Sequence, residues 1–245
     1  MSEALHVGII TQARMTSTRL PGKVLREVAG QSLLAWHVAR LRQTGLPIYL
    51  ATTTNATDDV LADFGAQAGL PVWRGDEHDV LGRYHGCAAA HGLDAVVRVT
   101  SDCPLIAPEL VAEGVARYRA AADPSLYLSN AVERTYPRGF DYEIFSRQLL
   151  DEAHAQATQP ADREHVTPFI NQNRSGRVRF SHLRRPAGDR SAYRLTVDVP
   201  EDFELVKQLF EDHDAGHLSA EALIALLDAH PELVALNAHV EQKKI

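Results

Sequence analysis

Short apolar runs alternate with stretches of helical periodicity through the first half of the chain. Four runs predict β-strands: HVGII (6–10), IYLATT (48–53), PVWRG (71–75) and AVVRVTSD (95–102). Three intervening stretches predict helices: SLLAWHVARLRQTG (32–45), TDDVLADFGAQAG (57–69) and DVLGRYHGCAAAHG (79–92). This alternation is typical of a mainly parallel sheet with helices on both faces. We therefore expect a three-layer α/β fold.

The rhythm changes between about residues 125 and 190, which we interpret as an inserted subregion of a single domain spanning 1–245. In it, SLYLSNAVERTYPRGFDYEIFS (125–146) is strand-like with a Pro-Arg-Gly interruption, DREHVTPFINQN (162–173) predicts a helix and RVRFSHLRR (177–185) a strand. The pattern then returns with a predicted strand, YRLTVD (193–198), and a helix, PEDFELVKQLFEDH (200–213). A last predicted helix, SAEALIALLDAHPEL (219–233), lies in a helical tail of about 215–245.

Composition narrows the class of protein. A chain of 245 residues that is 45% hydrophobic can bury a large core, and its net charge of −7 argues against a nucleic-acid partner. Two cysteines are too few for a disulfide framework, which favours a reducing compartment. The first residues lack the pattern of a leader, and no apolar run approaches the about 20 residues that span a bilayer. We expect a soluble cytoplasmic protein with no membrane partner.

A loop rich in cations follows the first predicted strand, in ITQARMTSTRLPGKVL (10–25). Arg14, Arg19 and Lys23 supply charge, and Ser17 and Gly22 leave the backbone free to curl, so that N–H groups and cations together can cradle phosphate. In parallel sheets, ligands bind at the carboxyl ends of the strands, where this loop begins. The spacing is neither that of a P-loop nor that of a G-x-G-x-x-G dinucleotide motif. The alternative interpretation is a solvated connector.

Two aspartates follow other predicted strands, Asp102 in RVTSDCPL and Asp198 in RLTVDVPEDF. Carboxylates that converge beside a phosphate loop suit Mg²⁺, because this ion takes one or two carboxylates together with waters and substrate phosphates. The alternative is that each aspartate caps the helix behind it. We interpret the nearby Glu201 and Asp202 as structural, since a first helical turn favours acids.

Other polar groups lie in the middle of the chain. Asp79 and Arg83 are four residues apart on a predicted helix, which indicates a surface ion pair, and Arg83 would contact a ligand only if it faced the same crevice. A further set suits recognition of an anionic, hydroxylated substrate, with a polar interface network as the alternative: Arg138, Asp141, Glu143, Arg163, Glu164 and His165.

Taken in order, QARMTSTRLPGKVL, GDEHDVLGRY, VTSDCPLI, PRGFDYEIFS, REHVTPFI and TVDVPEDFELV resemble the family of spore coat polysaccharide biosynthesis protein F, from about residue 6 to 210. That family belongs with the CMP-sugar-acid cytidylyltransferases. The resemblance implies a nucleotidyltransferase of the glycosyltransferase-A-like fold that uses CTP and Mg²⁺, releases pyrophosphate and is commonly a homodimer. It further implies an acidic sugar or another small acid as acceptor, used for surface glycans.

By motif position, the resemblance implies catalytic roles for Arg19 and Lys23 on the triphosphate and for Asp102 and Asp198 on the metal. It adds further nucleotide-binding residues: Gln12, Ala13, Arg14, Ser17, Gly22, Arg83 and Ser101. It places other residues near the acceptor or the dimer contact: Arg138, Asp141, Glu143, Glu164 and His165. Two alternatives stay open, a glycosyltransferase that uses a nucleotide sugar and a catalytically silent nucleotide-binding subunit.

Overall fold

A computed structural model describes residues 5–242 and contains a seven-stranded sheet and a two-stranded one. The strands are β1 (Val7–Gln12), β2 (Glu27–Val28), β3 (Gln31–Ser32), β4 (Ile48–Thr53), β5 (Val72–Gly75), β6 (Ala95–Thr100), β7 (Leu126–Ser129), β8 (Glu143–Ser146) and β9 (Arg179–His182). The α-helices are α1 (Leu33–Arg42), α2 (Asp59–Gln67), α3 (Val80–Ala90), α4 (Pro108–Ala121), α5 (Arg147–Gln156), α6 (Pro160–His165), α7 (Pro168–Asn171), α8 (Pro200–His213), α9 (Ala220–Ala229) and α10 (Pro231–Ala235). Short 3-10 helices span Lys23–Leu25, Ala56–Asp58 and Ala215–His217.

The large sheet has the order β5-β4-β1-β6-β8-β7-β9, and β2 pairs with β3 in the small one. Strands β5, β4, β1 and β6 are parallel, whereas β8 runs antiparallel to both β6 and β7. Strand β9 is parallel to β7. The prediction of a mainly parallel α/β sheet is confirmed. Because β7, β8 and β9 come from the region 125–190, that region extends the same sheet; its role towards an acceptor or a second copy stays a prediction.

The core lies on both faces of the sheet and makes three layers. On β1, Ile9 belongs to the apolar cluster shared with α1, α2, α4, α8 and α9, whereas Ile10 belongs to the cluster shared with α3, α5 and α7. Successive strand residues point to opposite faces, so a strand buried on both sides must be apolar at consecutive positions. Within residues 5–242, no helix combines the length and the apolar character that crossing a membrane would require.

Three predictions of regular structure are wrong, over 193–198, 162–173 and 219–233. The segment 193–198 is not a strand: Arg194 forms one isolated bridge with Arg138, and Val197 N–H donates to Asp102 O at 2.8 Å. The backbone hydrogen bonds of this segment thus go to two different loops, those of Arg138 and Asp102, so no continuous β-ladder forms. The helix predicted over 162–173 is two helices, because Val166 between them has φ 72° and Pro168 cannot donate to a preceding turn.

The helix predicted over 219–233 is also divided, into α9 and α10, at Pro231. By contrast, β4 and α8 have the bounds that the sequence predicts. Breaks at proline follow from the missing backbone N–H and from the clash of the ring with the preceding turn.

Candidate active site

The site is centred on Lys23, at the carboxyl edge of the parallel strands. Gly22, with φ 66°, turns the chain into the short 3-10 helix that begins at Lys23. The Lys23 Nζ lies 2.7 Å from Asp102 Oδ2 and 2.8 Å from Asp198 Oδ1. Three residues far apart in the sequence therefore meet at one ammonium group.

These three groups stabilise one another's charges. Burial by itself would lower the pKa of Lys23, but the two carboxylates raise it above its ordinary value. Burial opposes ionisation of Asp102 as well, yet the charge of Lys23 lowers the pKa of Asp102 to about 2. Lys23 and Asp102 are therefore both ionised at neutral pH.

Asp198 forms ion pairs with two arginines in addition to Lys23. Its Oδ1 also lies 3.0 Å from a guanidinium nitrogen of Arg19, and its Oδ2 accepts from Arg194 at 2.9 Å. Arg194 is held in turn by Asp202, whose Oδ2 accepts the N–H groups of Asp198 and Val199 at the start of α8. Asp202 is thus the structural acid that the sequence predicts, and Asp198 is not the helix cap.

Asp102 is not a helix cap either, because the next helix, α4, begins at Pro108 with Ala107 as its N-cap. Both carboxylates instead contact the ammonium group of Lys23, which shows that their oxygens converge on a point where a cation can lie. Within residues 5–242, no group of three or more His, Cys, Asp or Glu side chains is arranged to hold a metal. A pair of carboxylates fits Mg²⁺, which completes its shell with waters and substrate phosphates.

The rest of the cationic loop lies along the same edge. Gln12 ends β1 opposite Thr100 of β6, and the N–H of Ala13 donates to Ala51 O at 3.1 Å. Ser17 is half-buried. Arg14 pairs with Glu77, from the loop after β5, at 3.3 Å.

Arg83 and Asp79 do not form the surface ion pair that the sequence predicts. Arg83 is only 2% exposed, and its guanidinium donates to the backbone carbonyls of Asp76 and Glu77. Asp79 caps α3 through the N–H of Gly82 and pairs with Arg163. An N-cap side chain bends back to its own helix start, away from the residue one turn later.

The side chain of Ser101 is buried at the edge of the sheet, and its contact with a nucleotide stays a prediction. Its side chain is 1% exposed and bonds to Thr11 Oγ1 at 2.8 Å, and its N–H donates to Gln12 O. Thr11 Oγ1 also lies 2.9 Å from His37 Nε2, and His37 Nδ1 lies 2.8 Å from Cys103 O. Because a carbonyl only accepts, Nδ1 carries the proton and Nε2 accepts from Thr11.

Glu143 has partners inside the protein, and its contact with substrate stays a prediction. It starts β8, is buried, and its carboxylate is paired with Arg98, Tyr127 and Thr167. Arg98 is partly buried; burial by itself would lower its pKa, but the charge of Glu143 raises it above its ordinary value. The carboxylate is thus buried and bonded to three side chains of the protein itself.

The other predicted acceptor residues are divided between two places. Arg138 bonds through its backbone to the segment before Asp198, and Asp141 is held by Arg134. Burial and the nearby cations lower the pKa of Arg138, whereas Asp141 and Asp198 oppose this. At the end of α6, Glu164 is exposed, and His165 is partly buried.

Several residues that shape the site were missed by sequence analysis: Asn55, Asp58, Glu77, Arg194 and His37. Glu77 stands two residues before Asp79, and Arg194 precedes Asp198 by four residues. These positions in the sequence do not distinguish a buried, paired side chain from an ordinary surface charge. The roles of Glu77 and Arg194 depend on contacts with residues far away in the chain.

Comparisons with known proteins agree with this geometry. A family model described as Cytidylyltransferase matches residues 8–243. The spore coat polysaccharide biosynthesis protein SpsF of Bacillus subtilis is 35% identical over 232 residues, covering 91% of this chain and 94% of that protein. The 3-deoxy-manno-octulosonate cytidylyltransferase of Acidobacterium capsulatum is 36% identical over 110 residues, 44% of each chain.

Among solved structures, a cytidylyltransferase from Leptospira borgpetersenii superposes with a TM-score of 0.87 at 30% identity, covering 98% of this chain and 100% of that one. The range that the family model matches includes the cationic loop and both aspartates. The chain therefore belongs to the cytidylyltransferase family.

Proposed function

We propose that this enzyme transfers CMP from CTP to an acidic sugar or another small acid, releasing pyrophosphate, in the synthesis of precursors for surface polysaccharides. The observation that carries the proposal is the convergence of Lys23 and Arg19 with Asp102 and Asp198 at the carboxyl edge of the sheet. Nucleotidyl transfer requires cationic side chains that bind the triphosphate and, beside them, carboxylates that bind a metal ion. This site has both.

In this reaction an acceptor oxygen attacks the α-phosphorus of CTP in line. A new phosphorus–oxygen bond forms, and the bond to the β-phosphate breaks, so the electron pair leaves with pyrophosphate. Arg19 and Lys23 bind the β- and γ-phosphates and stabilise the negative charge that develops on them. Two carboxylates hold the Lys23 ammonium at the site before the substrate arrives, and the phosphates then offer it new partners.

Asp102 and Asp198 are the residues that would hold Mg²⁺. When bound there, the ion would supply charge neutralisation and polarisation of the α-phosphate. An acceptor that attacks with a carboxylate or phosphate oxygen arrives deprotonated and requires no general base, which fits an acidic substrate. Arg138, close to Asp198, is our candidate for contact with that acid.

The decisive experiment measures pyrophosphate release with CTP, ATP, GTP and UTP against a panel of acids that includes 3-deoxy-manno-octulosonate and sugar phosphates. We expect release only with CTP, only with one class of acid, and none in EDTA. The variant Lys23→Met should lose about 100-fold in turnover. Lys207→Met, which alters an exposed lysine 4.0 Å from Glu211, is the matched control and should be unchanged.

Release with another nucleotide would contradict the proposed base specificity. Binding of CTP without release across the whole panel would instead support the silent-subunit alternative. We further propose, from the resemblance, that the enzyme works in the cytoplasm as a homodimer. Light scattering on the purified protein tests the dimer, and a mass of one chain, 27.0 kDa, would contradict it.

A further inference from the structure

A carboxylate outside the cationic loop holds that loop in place. Glu77, two residues beyond the end of β5, accepts a hydrogen bond from Thr16 Oγ1 and lies 3.3 Å from the guanidinium of Arg14. Its other oxygen accepts from Asn55 Nδ2, in the loop after β4, at 2.6 Å. One side chain thus ties together the loops that follow β1, β4 and β5.

Glu77 is itself held rigidly. The buried guanidinium of Arg83, on α3, donates to the backbone carbonyls of Asp76 and Glu77. The hydrogen bond from Thr16, together with Asn55 and the charge of Arg14, lowers the pKa of Glu77. The carboxylate is therefore ionised, and Arg83 on its backbone and Asn55 on its side chain hold Glu77 from outside the cationic loop.

A second carboxylate fixes the same loop through its backbone. Asp58 is fully buried and accepts the N–H of Met15 at 2.8 Å and the hydroxyl of Thr53 at 2.6 Å. The carbonyl of Met15 then accepts the N–H of Gly22 at 3.0 Å, which closes the loop just before Lys23. A loop without regular structure between residues 13 and 22 is thus held at both ends.

We propose that Glu77 is a positioning residue for the nucleotide. It neutralises Arg14 and anchors Thr16, and so fixes the loop whose Arg19 and Lys23 meet the triphosphate. Preordering the loop removes an entropic cost that CTP would otherwise meet on binding. The inference rests on the proposed function, since it assigns the cationic loop to CTP.

The test measures CTP affinity by calorimetry in the presence of Mg²⁺ for Thr16→Val, Thr16→Ser and Glu77→Gln. We expect Thr16→Val and Glu77→Gln to bind CTP about five- to tenfold more weakly, because each loses a bond to a charged group. Thr16→Ser keeps the hydroxyl and should stay within about twofold of the wild type. The double variant should bind no worse than the weaker single variant, because the Thr16 hydroxyl acts on the loop through Glu77.

Thr44→Val is the matched control. Its hydroxyl donates to Leu41 O at 2.7 Å, so the variant loses a comparable bond away from the site. It should alter the melting temperature without altering CTP affinity. Folded Thr16→Val and Glu77→Gln proteins that bind CTP as tightly as the wild type, or a Thr16→Ser protein as weak as Thr16→Val, would overturn the inference. Absence of CTP binding by the wild-type protein would contradict the proposed function instead.

Discussion

Lys23 and Asp198, 175 positions apart in the chain, form an ion pair in which Nζ lies 2.8 Å from Oδ1. Their side chains are 10% and 11% exposed, so solvent screens the pair weakly. The same ammonium contacts Asp102, which means that a cation of the protein lies where its two carboxylates converge. A divalent ion that binds there must displace this ammonium, and a triphosphate offers it new partners.

Replacement of Lys23 by Met should therefore increase the affinity for a divalent ion in the absence of CTP. Mn²⁺ titrated by electron paramagnetic resonance should bind Lys23→Met at least about tenfold more tightly than the wild type, because one competing charge next to two carboxylates is gone. The same variant should bind metal-free CTP more weakly. Lys207→Met is the control, and equal Mn²⁺ affinity in Lys23→Met and the wild type would contradict this competition.

His37 makes the stability of the fold depend on pH. Its complete burial lowers its pKa from 6.5 to about 4, so the folded protein keeps it neutral while the unfolded chain takes up a proton below 6.5. The free energy of unfolding should therefore decrease as the pH falls from 6.5 towards 4, by about 3 kcal/mol at about 1.36 kcal/mol per pH unit.

Urea denaturation between pH 7.5 and 4 measures this effect. His37→Asn keeps a donor for the carbonyl of Cys103 and should lose most of the dependence. His239→Asn alters an exposed histidine and should behave like the wild type. The same pH dependence in the wild type and in His37→Asn would show that His37 is not the group responsible.

Glu143→Gln should damage folding rather than recognition of the acceptor. It leaves the buried guanidinium of Arg98 without its counter-ion, which costs about 3–5 kcal/mol of unfolding free energy. Glu113→Gln breaks an exposed ion pair with Arg117 and should cost less than about 1 kcal/mol. A stable Glu143→Gln protein with a raised KM for the acceptor alone would restore the substrate contact that the sequence predicts.

Gly139→Ala tests the close approach that brings Arg138 to the segment carrying Asp198. Gly139 has φ 105°, and a Cβ atom there would lie 2.7 Å from the carbonyl carbon of Leu195. Gly188, with φ 93° and open space around it, is the matched control for backbone strain alone. Thermal denaturation should show Gly139→Ala to be less stable than Gly188→Ala by about 1–3 kcal/mol. Equal losses would mean that the close approach is not required.

The sequence by itself determined the layered α/β class, the bounds of elements such as β4 and α8, and the edge of the sheet at which the residues of the candidate site lie. These features depend on side-chain periodicity and on backbone hydrogen bonds made close along the chain, and both are visible in local sequence. Because parallel strands end at one edge, the residues that follow them could be expected to meet, and Lys23 and Asp102 do so, whereas Asp198 joins them from an irregular segment.

Only the tertiary structure decided which partner each charge takes. Segment 193–198 has the pattern of a strand, but the neighbours available to it are loops, so it remains irregular. Glu77 and Glu143 are the same residue type, and the local sequence does not distinguish their roles. Glu77 bonds to the cationic loop, whereas Glu143 pairs with Arg98. The physical reason is that the direction and burial of a side chain depend on contacts between residues far apart in the chain, which local pattern does not encode.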